Sequence, residues 1–211
     1  MKVCLIYSGF LRTWDRCMHD HFENIVKPND DNIRDSGNSV TAYFHTDKDP
    51  FENGPKWGFK YHFVPFPKKL FYPDPWGEHL YNSRKMPEGT VYQTLRQWQC
   101  NFVAFSIVPS DFDVYVRIRP DLKFNGPLVF QKPEPNTIYI PQGMDYGGIN
   151  DQFAYGDYDT MKIYYQVFEN YHALWRDKGV IFNSEVIQKA NLEDKGIKVV
   201  RFGSPQHDLI R

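Results

Sequence analysis

The feature that most constrains the fold is the alternation of buried strands with amphipathic helices along the chain. Residues 3–7 form a continuous apolar run that stops at a Ser-Gly pair, which is typical of a strand covered on both faces. From Trp14 to Val26, apolar residues recur at spacings of three and four, and Pro28 then closes the predicted helix. This alternation predicts an α/β fold with a mixed, mostly parallel central sheet flanked by helices.

The rest of the chain continues the same pattern. Strands are predicted at residues 40–45, 60–66, 114–119, 137–140, 152–155 and 197–202, and helices at 91–105, 161–175 and 183–190, the last capped by Asn183. Residues 67–89 are rich in Pro, Gly and aromatic residues, so we expect a long loop there that acts as a lid or a binding loop. No linker divides the sequence, which predicts a single domain over residues 1–211.

Charge and cysteine content exclude several classes of partner. The 25 Lys and Arg against 26 Asp and Glu give a net charge of -1, so we expect no nucleic-acid partner. No apolar stretch is long enough to cross a bilayer, so no membrane span is expected. Cys4, Cys17 and Cys100 lie far apart and lack the close spacing of zinc or redox pairs, which favours free thiols and a cytoplasmic location.

The strand predicted at residues 114–119 carries two arginines and ends at an acidic residue. Tyr115, Arg117 and Arg119 fall on one face of this strand, and buried arginines need carboxylate or phosphate partners. Internal ion pairs would satisfy them. Alternatively, Asp121 at the strand end favours a diphosphate held together with a divalent cation, because hard cations prefer carboxylate and phosphate oxygens. Ligands of open α/β sheets bind at the carboxyl ends of strands, where Asp121 is expected.

Two further segments are candidates for ligand contacts. Polar, uncharged residues line one face of the helix predicted at 91–105; they are Thr90, Thr94, Gln97 and Asn101. A solvated face is the plain alternative, but such faces usually carry charges, so hydrogen bonds to a nucleotide or sugar are the competing hypothesis. Adjacent glycines in the segment 143–156 allow close backbone approach to a ligand, although a simple turn would also use them.

Three other Asp-x-Asp triplets differ in their position relative to the predicted strands and helices, and this position decides which of them could bind a ligand. The triplet at 111–113 would lie at the amino end of its strand, and the one at 157–159 precedes a helix, where its acids are expected to cap. The triplet at 47–49 follows the second strand at the expected ligand edge. Asp47 is therefore a weaker candidate for contact with a nucleoside.

The segment at residues 112–124 resembles the signature region of metal-dependent glycosyltransferases of the GT-A fold. Enzymes of that family carry an Asp-x-Asp motif at the end of such a strand, after an aromatic-Asp pair and before apolar residues. This chain has Arg119-Pro120-Asp121 at that place, so the last acid of the motif is present and the first is missing. The resemblance implies that Asp121 is a ligand of Mn²⁺ or Mg²⁺, and that Arg117 or Arg119 offsets charge on the departing diphosphate.

The amino-terminal segment, residues 7–12, resembles the first nucleotide-binding loop of the same family. The resemblance implies that Tyr7, Ser8 and Gly9 admit the nucleotide and that Arg12 reaches its diphosphate.

Two segments nearer the carboxyl terminus complete the resemblance. In such enzymes an Asn-Asp-Gln-Phe segment lines the sugar and acceptor pocket, which implies that Asp151 polarises an acceptor hydroxyl. Asp145, Asp208 and Glu185 are the alternative acids for this role. Related enzymes also place a terminal His or Asp on the metal, which implies His207 as a second ligand; an exposed tail histidine is the plain alternative.

The implied activity is transfer of a hexose or deoxyhexose from a UDP-sugar to a glycan or glycoprotein acceptor. The chain is most similar to viral members of the family, from large viruses of green algae, which implies a reaction in the host cytoplasm and further domains carboxyl-terminal to this one. A non-catalytic carbohydrate-binding module is the alternative, since 17% of the residues are aromatic. The phosphate-binding and dinucleotide-binding glycine motifs are absent from the sequence, which argues against a kinase or a dehydrogenase.

Overall fold

The computed structural model of the protein describes residues 1–30, 39–52, 59–66, 88–203 and 207–210. The described strands are β1 (Lys2–Gly9), β2 (Ser39–Thr46), β3 (Lys60–Pro65), β4 (Val114–Ile118), β5 (Leu122–Phe124), β6 (Thr137–Pro141), β7 (Phe153–Gly156), β8 (Lys198–Phe202) and β9 (His207–Leu209). Seven of these described strands form one sheet in the order β3-β2-β1-β4-β7-β6-β8. Strand β7 is antiparallel to its neighbours β4 and β6, and the other described pairs of this sheet are parallel.

Helices cover the sheet. They are α1 (Trp14–His21), α2 (Lys27–Asn29), α3 (Glu88–Ser106), α4 (Tyr158–Tyr165), α5 (Val167–His172) and α6 (Ser184–Asp194), with π-helical turns at Phe22–Val26 and Ala173–Asp177. The predicted α/β class with a mostly parallel sheet between helices is confirmed, and the architecture is compatible with a Rossmann-like fold. The predicted loop at 67–89 falls largely outside the described residues, and α3 begins at Glu88.

Local signals explain where several helices begin and end. The side chains of Asp157 and Asn183 accept hydrogen bonds from backbone N–H groups three residues later, so these two predicted N-caps are confirmed. Asp159, the other acid expected to cap, lies within the first turn of α4. The helical path that begins at Trp14 ends at Asn29, one residue after the predicted stop at Pro28, and Asp30 is extended.

The core has a layer on each face of the sheet. Alternate residues of β4 belong to opposite layers. Val114, Val116 and Ile118 pack in the layer that includes residues of α1. Tyr115 packs in the other layer, with residues of α3 and α4. The alternation predicted for this strand is confirmed. A further cluster joins α3 to α5 and α6 without a strand. Full burial of each large apolar side chain contributes about 1.5–3 kcal/mol to folding.

Strands β5 and β9 form a separate antiparallel pair, with Leu122 opposite Leu209. Neither strand was predicted, because three residues are too few to show a period. The pair brings the carboxyl-terminal segment back beside the residues that follow β4. The backbone N–H of Ile210 donates to the carbonyl of Asp121 at 2.9 Å, and this contact holds the loop after β4 in place.

Two expectations from composition can be compared with the described chain. Cys4, Cys17 and Cys100 are free and buried, as predicted. Burial raises the pKa of the Cys100 thiol to about 11. Among the helices of the described residues, none combines the length and apolar character needed to cross a membrane.

Candidate functional site

The predicted site residues follow strands that end at the same edge of the sheet. The register pairs Gly9 with Thr46 and Tyr7 with Ile118, and Ile118 with Phe153 at the start of the antiparallel β7. The loops after β1, β2 and β4 and the residues before β7 are therefore neighbours, and we call this region the carboxyl edge. Open α/β sheets bind ligands at such edges.

Asp151 lies at the carboxyl edge and is held by a helix on the face of the sheet. Its side chain is 8% exposed, and its Oδ2 accepts a hydrogen bond of 2.8 Å from Nε2 of Gln97 in α3. The hydroxyl of Tyr164 in α4 donates to the Asp151 carbonyl at 3.2 Å. The structure thus brings the predicted acceptor-side acid and one member of the predicted polar stripe into direct contact.

Arg119 and Asp121 form a two-point ion pair directly after β4. Nε and Nη2 of Arg119 donate to the two carboxylate oxygens of Asp121 at 2.9 and 2.7 Å. Burial acts to lower the pKa of Arg119, but Asp121, together with the charges of Asp151 and Glu185, raises it above its ordinary value. The internal ion pair, one of the two alternatives from the sequence, is the arrangement found for Arg119.

Arg117 lies deeper in the protein than the sequence suggested for a ligand-binding residue. It is 1% exposed, its Nη1 donates to the Ile118 carbonyl at 2.7 Å, and its Nε has no hydrogen-bond partner. Within the described chain no carboxylate lies at ion-pair distance from Arg117. Its charge instead acts on the phenols of Tyr164 and Tyr165, whose pKa values burial raises and Arg117 partly lowers.

The small residues at the end of β1 connect this strand to α3. Ser8 and Asn101 are both buried, and the Ser8 hydroxyl donates to the side-chain carbonyl of Asn101. Gly9 has φ of +117°, a backbone conformation that glycine adopts without steric cost. Ser8 and Asn101, both predicted to contact the nucleotide sugar, therefore lie together at the carboxyl edge. Their side chains are hydrogen-bonded to each other.

Tyr7 belongs to the core. Its ring stacks on Phe44 with centroids 4.5 Å apart, and its hydroxyl lies 3.2 Å from Nδ1 of His21. Nε2 of His21 lies 2.6 Å from the Leu122 carbonyl, which can only accept, so Nε2 carries the proton and the Tyr7 hydroxyl donates to Nδ1. Burial lowers the pKa of His21 to about 4. The Tyr7 side chain thus reaches the core, and its backbone leads into the loop.

The loop after β1 presents an aromatic ring that two arginines contact. The Leu11 N–H donates to Oδ1 of Asp47 at 2.9 Å, which ties this loop to the end of β2. The guanidinium carbons of Arg12 and Arg96 lie 5.1 and 5.9 Å from the centroid of the Phe10 ring. Sequence reasoning missed Arg96, although its position next to Gln97 in α3 is a signal that could have found it.

The glycine pair before Asp151 serves helix packing. A Cβ on Gly148 would lie 2.0 Å from the backbone carbonyl of Glu185, so this glycine allows α6 to approach the loop. The expectation that the pair makes room for substrate is corrected for Gly148, since protein backbone fills that space. The Ile149 N–H also donates to the Glu185 carbonyl at 3.1 Å, which fixes the start of α6 near Asp151.

Glu185 supplies a second carboxylate near Asp151. Burial raises the pKa of the Glu185 carboxyl, the hydrogen bond from Ser184 opposes this shift, and the charge of Asp151 adds to it. Asp145, another alternative acid from the sequence, is held instead by Arg201 at 2.8 Å and by the Asn150 N–H at 3.0 Å. The Asp145 carboxylate therefore stabilises the conformation of the loop before β7.

The expected metal ligands do not come together in the described residues. Both carboxylate oxygens of Asp121 accept hydrogen bonds from Arg119, and the backbone of His207 lies opposite Phe124 in β9. The His207 side chain lies outside the part of the chain that the structure describes, as does that of Thr90. Over the described ranges, no group of three His, Cys, Asp or Glu residues could hold a metal ion. A cation at Asp121 would have to displace Arg119 from at least one carboxylate oxygen.

Comparison with known proteins adds one match. A protein-family model described as a domain of unknown function (DUF7796) matches residues 107–206, which include β4, β7 and the site residues Arg119, Asp121 and Asp151. No curated protein matches the chain.

Proposed function

We propose that the protein is a glycosyltransferase of the GT-A type that moves a hexose or deoxyhexose from a UDP-sugar to a hydroxyl of a glycan or glycoprotein acceptor. The observation that carries the proposal is that Asp151, held by Gln97, and the Arg119–Asp121 pair lie on adjoining backbone at the carboxyl edge, where the Arg119 N–H donates to the Gln152 carbonyl at 3.1 Å. A carboxylate beside a fixed guanidinium provides the two charges that the reaction requires. The mostly parallel sheet supports this fold assignment.

The proposed reaction balances with the groups at this edge. The bond between the anomeric carbon and the diphosphate oxygen breaks, and UDP leaves with the electron pair. The acceptor oxygen bonds to the anomeric carbon, and its proton passes to the Asp151 carboxylate. Gln97 binds Oδ2 of this carboxylate, which leaves Oδ1 to accept the proton. Arg119 contributes positive charge toward the departing diphosphate, and because Asp121 already pairs with it, the reaction also needs further positive charge at this edge.

The proposal keeps Mn²⁺ or Mg²⁺ as a cofactor implied by the resemblance. Bound at Asp121, such a cation would act as a Lewis acid toward the diphosphate. Arg119 occupies both oxygens of Asp121, so a cation would compete with this guanidinium for the carboxylate. A cytoplasmic location, the host cytoplasm in the case of a viral enzyme, is also part of the proposal and is supported by the three buried free thiols.

Calorimetry and a turnover assay test the proposal together. UDP is titrated into the wild-type protein and into Asp121→Asn, each with Mn²⁺ and with a chelator, and UDP release from a panel of UDP-sugars is followed with oligosaccharide acceptors. We expect UDP to bind, Mn²⁺ to strengthen binding and Asp121→Asn to weaken it. Asp159→Asn, which removes an exposed acid from α4, is the matched control.

The outcomes separate the parts of the proposal. Absence of UDP binding at millimolar ligand with Mn²⁺ present would overturn the nucleotide-sugar function. Binding of oligosaccharides without UDP would identify the protein as a carbohydrate-binding module. UDP binding that neither the chelator nor Asp121→Asn changes would remove the cation from the proposal and leave the transferase in place.

A further inference from the structure

Two arginines from different elements converge on one partly exposed aromatic ring at the carboxyl edge. Phe10 follows β1 and is 43% exposed. The Arg12 guanidinium reaches its ring from the same loop at 5.1 Å, and that of Arg96 reaches it from α3 at 5.9 Å. Both arginine side chains are exposed to solvent.

This convergence gathers positive charge without a protein counter-ion. Most ion pairs of the described residues lie on the surface. Neither Arg12 nor Arg96 forms an ion pair with a carboxylate within the described ranges. A cation over an exposed ring gains about 0.5–1 kcal/mol, and bringing two like charges together opposes that gain. An anion that contacts both guanidinium groups would offset their positive charge.

The ring is held in place before any ligand binds. Phe66, buried at the end of β3, meets the Phe10 ring edge to face with centroids 5.2 Å apart. The hydrogen bond from Leu11 to Asp47 fixes the backbone of the same loop. A group that is ordered in advance loses less conformational entropy on binding, so this arrangement suits ligand recognition.

We infer that Phe10, Arg12 and Arg96 form an anion clamp for the diphosphate of the donor. The inference rests on the proposed function and assigns a binding role to Arg96 and Phe10. A guanidinium group binds phosphate oxygens at two points, and two such groups match the two phosphates. Arg96 and Gln97, which holds Asp151, are adjacent residues of α3, so one turn of this helix contacts both the clamp and the acceptor-side acid.

Calorimetry with inorganic pyrophosphate, UDP and uridine tests the clamp, with a chelator present so that no cation contributes. The proteins are the wild type, Arg96→Ala, Arg96→Lys, Arg12→Ala and the control Lys198→Ala, which removes a positive charge at the opposite edge of the sheet, where β8 begins. Because a hydrogen bond to a charged group contributes about 1.5–3 kcal/mol, we expect Arg96→Ala and Arg12→Ala each to weaken pyrophosphate and UDP binding about tenfold or more. Uridine binding should not change.

Further measurements exclude a purely structural effect. Arg96→Lys keeps the charge but loses the two-point geometry, so its affinity for UDP should fall between those of the wild type and Arg96→Ala. The affinity of the wild type should decrease with added salt, and that of Arg96→Ala should decrease less. Circular dichroism checks that each variant is folded. Should Arg96→Ala be misfolded, the Arg96→Lys comparison decides the question.

The outcomes distinguish failure of the clamp from failure of the proposed function. Equal UDP affinity in the wild type, Arg12→Ala and Arg96→Ala would overturn the clamp and leave the glycosyltransferase proposal intact. Pyrophosphate binding that depends on Arg96, without affinity for UDP or uridine, would support the clamp and overturn the proposed donor. Absence of both pyrophosphate and UDP binding would overturn both.

Discussion

The charge balance around Arg119 determines what else the site needs. Its guanidinium pairs with both oxygens of Asp121 and also feels the charges of Asp151 and Glu185. The acids in this group outnumber the arginine, so by itself the group repels an anion. A diphosphate bound at the carboxyl edge therefore requires further positive charge, which Arg12 and Arg96 can supply.

Substitution of Asp151 tests the acceptor-side role. General bases contribute about a hundred- to ten-thousand-fold in rate, so we expect Asp151→Asn to reduce turnover by about a hundredfold or more. UDP affinity should stay near the wild-type value, because the asparagine side chain can still accept the hydrogen bond from Gln97. Steady-state kinetics and UDP calorimetry measure the two quantities, with Asp159→Asn as control. Normal turnover in Asp151→Asn would exclude the residue from the mechanism.

At the scale of elements, strands and helices with a clear apolar pattern could be predicted closely. The apolar run at residues 3–7 lies within β1 (Lys2–Gly9), and the apolar stripe at 91–105 lies within α3. Irregular elements could not be predicted. A π-helical turn such as Phe22–Val26 leaves the apolar spacing of a helix almost unchanged, and a three-residue strand such as β5 has no period.

The candidate site could be predicted in part for a similar reason. Because the strand-end rule uses only the order of elements, it predicts that Asp121 lies at the carboxyl edge. Asp151 precedes β7 and reaches the same edge because β7 runs antiparallel to β4, which the sequence pattern does not specify. It does not specify which side chains bond to each other. The pairing of Gln97 with Asp151, and the convergence of Arg96 on Phe10, depend on how α3 packs against β1, which is a long-range property of the fold.

The contact between the loop at Gly148 and the start of α6 gives a prediction at this scale. A Cβ at Gly148 would lie 2.0 Å from the Glu185 backbone, which cannot move without shifting α6. Overpacking typically costs about 1–3 kcal/mol, so we expect Gly148→Ala to lower the free energy of unfolding by at least that amount. Urea denaturation measures the change. Gly126→Ala, where the added methyl meets open space, should stay within about 0.5 kcal/mol of the wild type.

For the molecule as a whole, a buried histidine links its stability to pH. His21 joins α1 to the core of the sheet through Tyr7 and to β5 through the Leu122 carbonyl. Its Nε2 donates and its Nδ1 accepts, so the network requires the neutral ring. Leu122, whose carbonyl His21 contacts, is the first residue of β5 and directly follows Asp121. Loss of this network would therefore also disturb the candidate site.

The predicted consequence is a loss of stability in mild acid. Burial lowers the pKa of His21 from 6.5 to about 4, so between these values the unfolded chain binds a proton that the folded chain does not. The free energy of unfolding should therefore fall as the pH decreases from about 6.5 to about 4, by about 3 kcal/mol from this group alone. Urea unfolding at pH 7, 6, 5 and 4 measures the slope. His21→Gln should be less stable at pH 7 but should show a flatter profile, whereas His19→Gln, on the exposed face of α1, should keep the wild-type slope. Some slope should remain in His21→Gln because burial also lowers the pKa of His45. An unchanged slope in His21→Gln would show that another group carries the pH dependence.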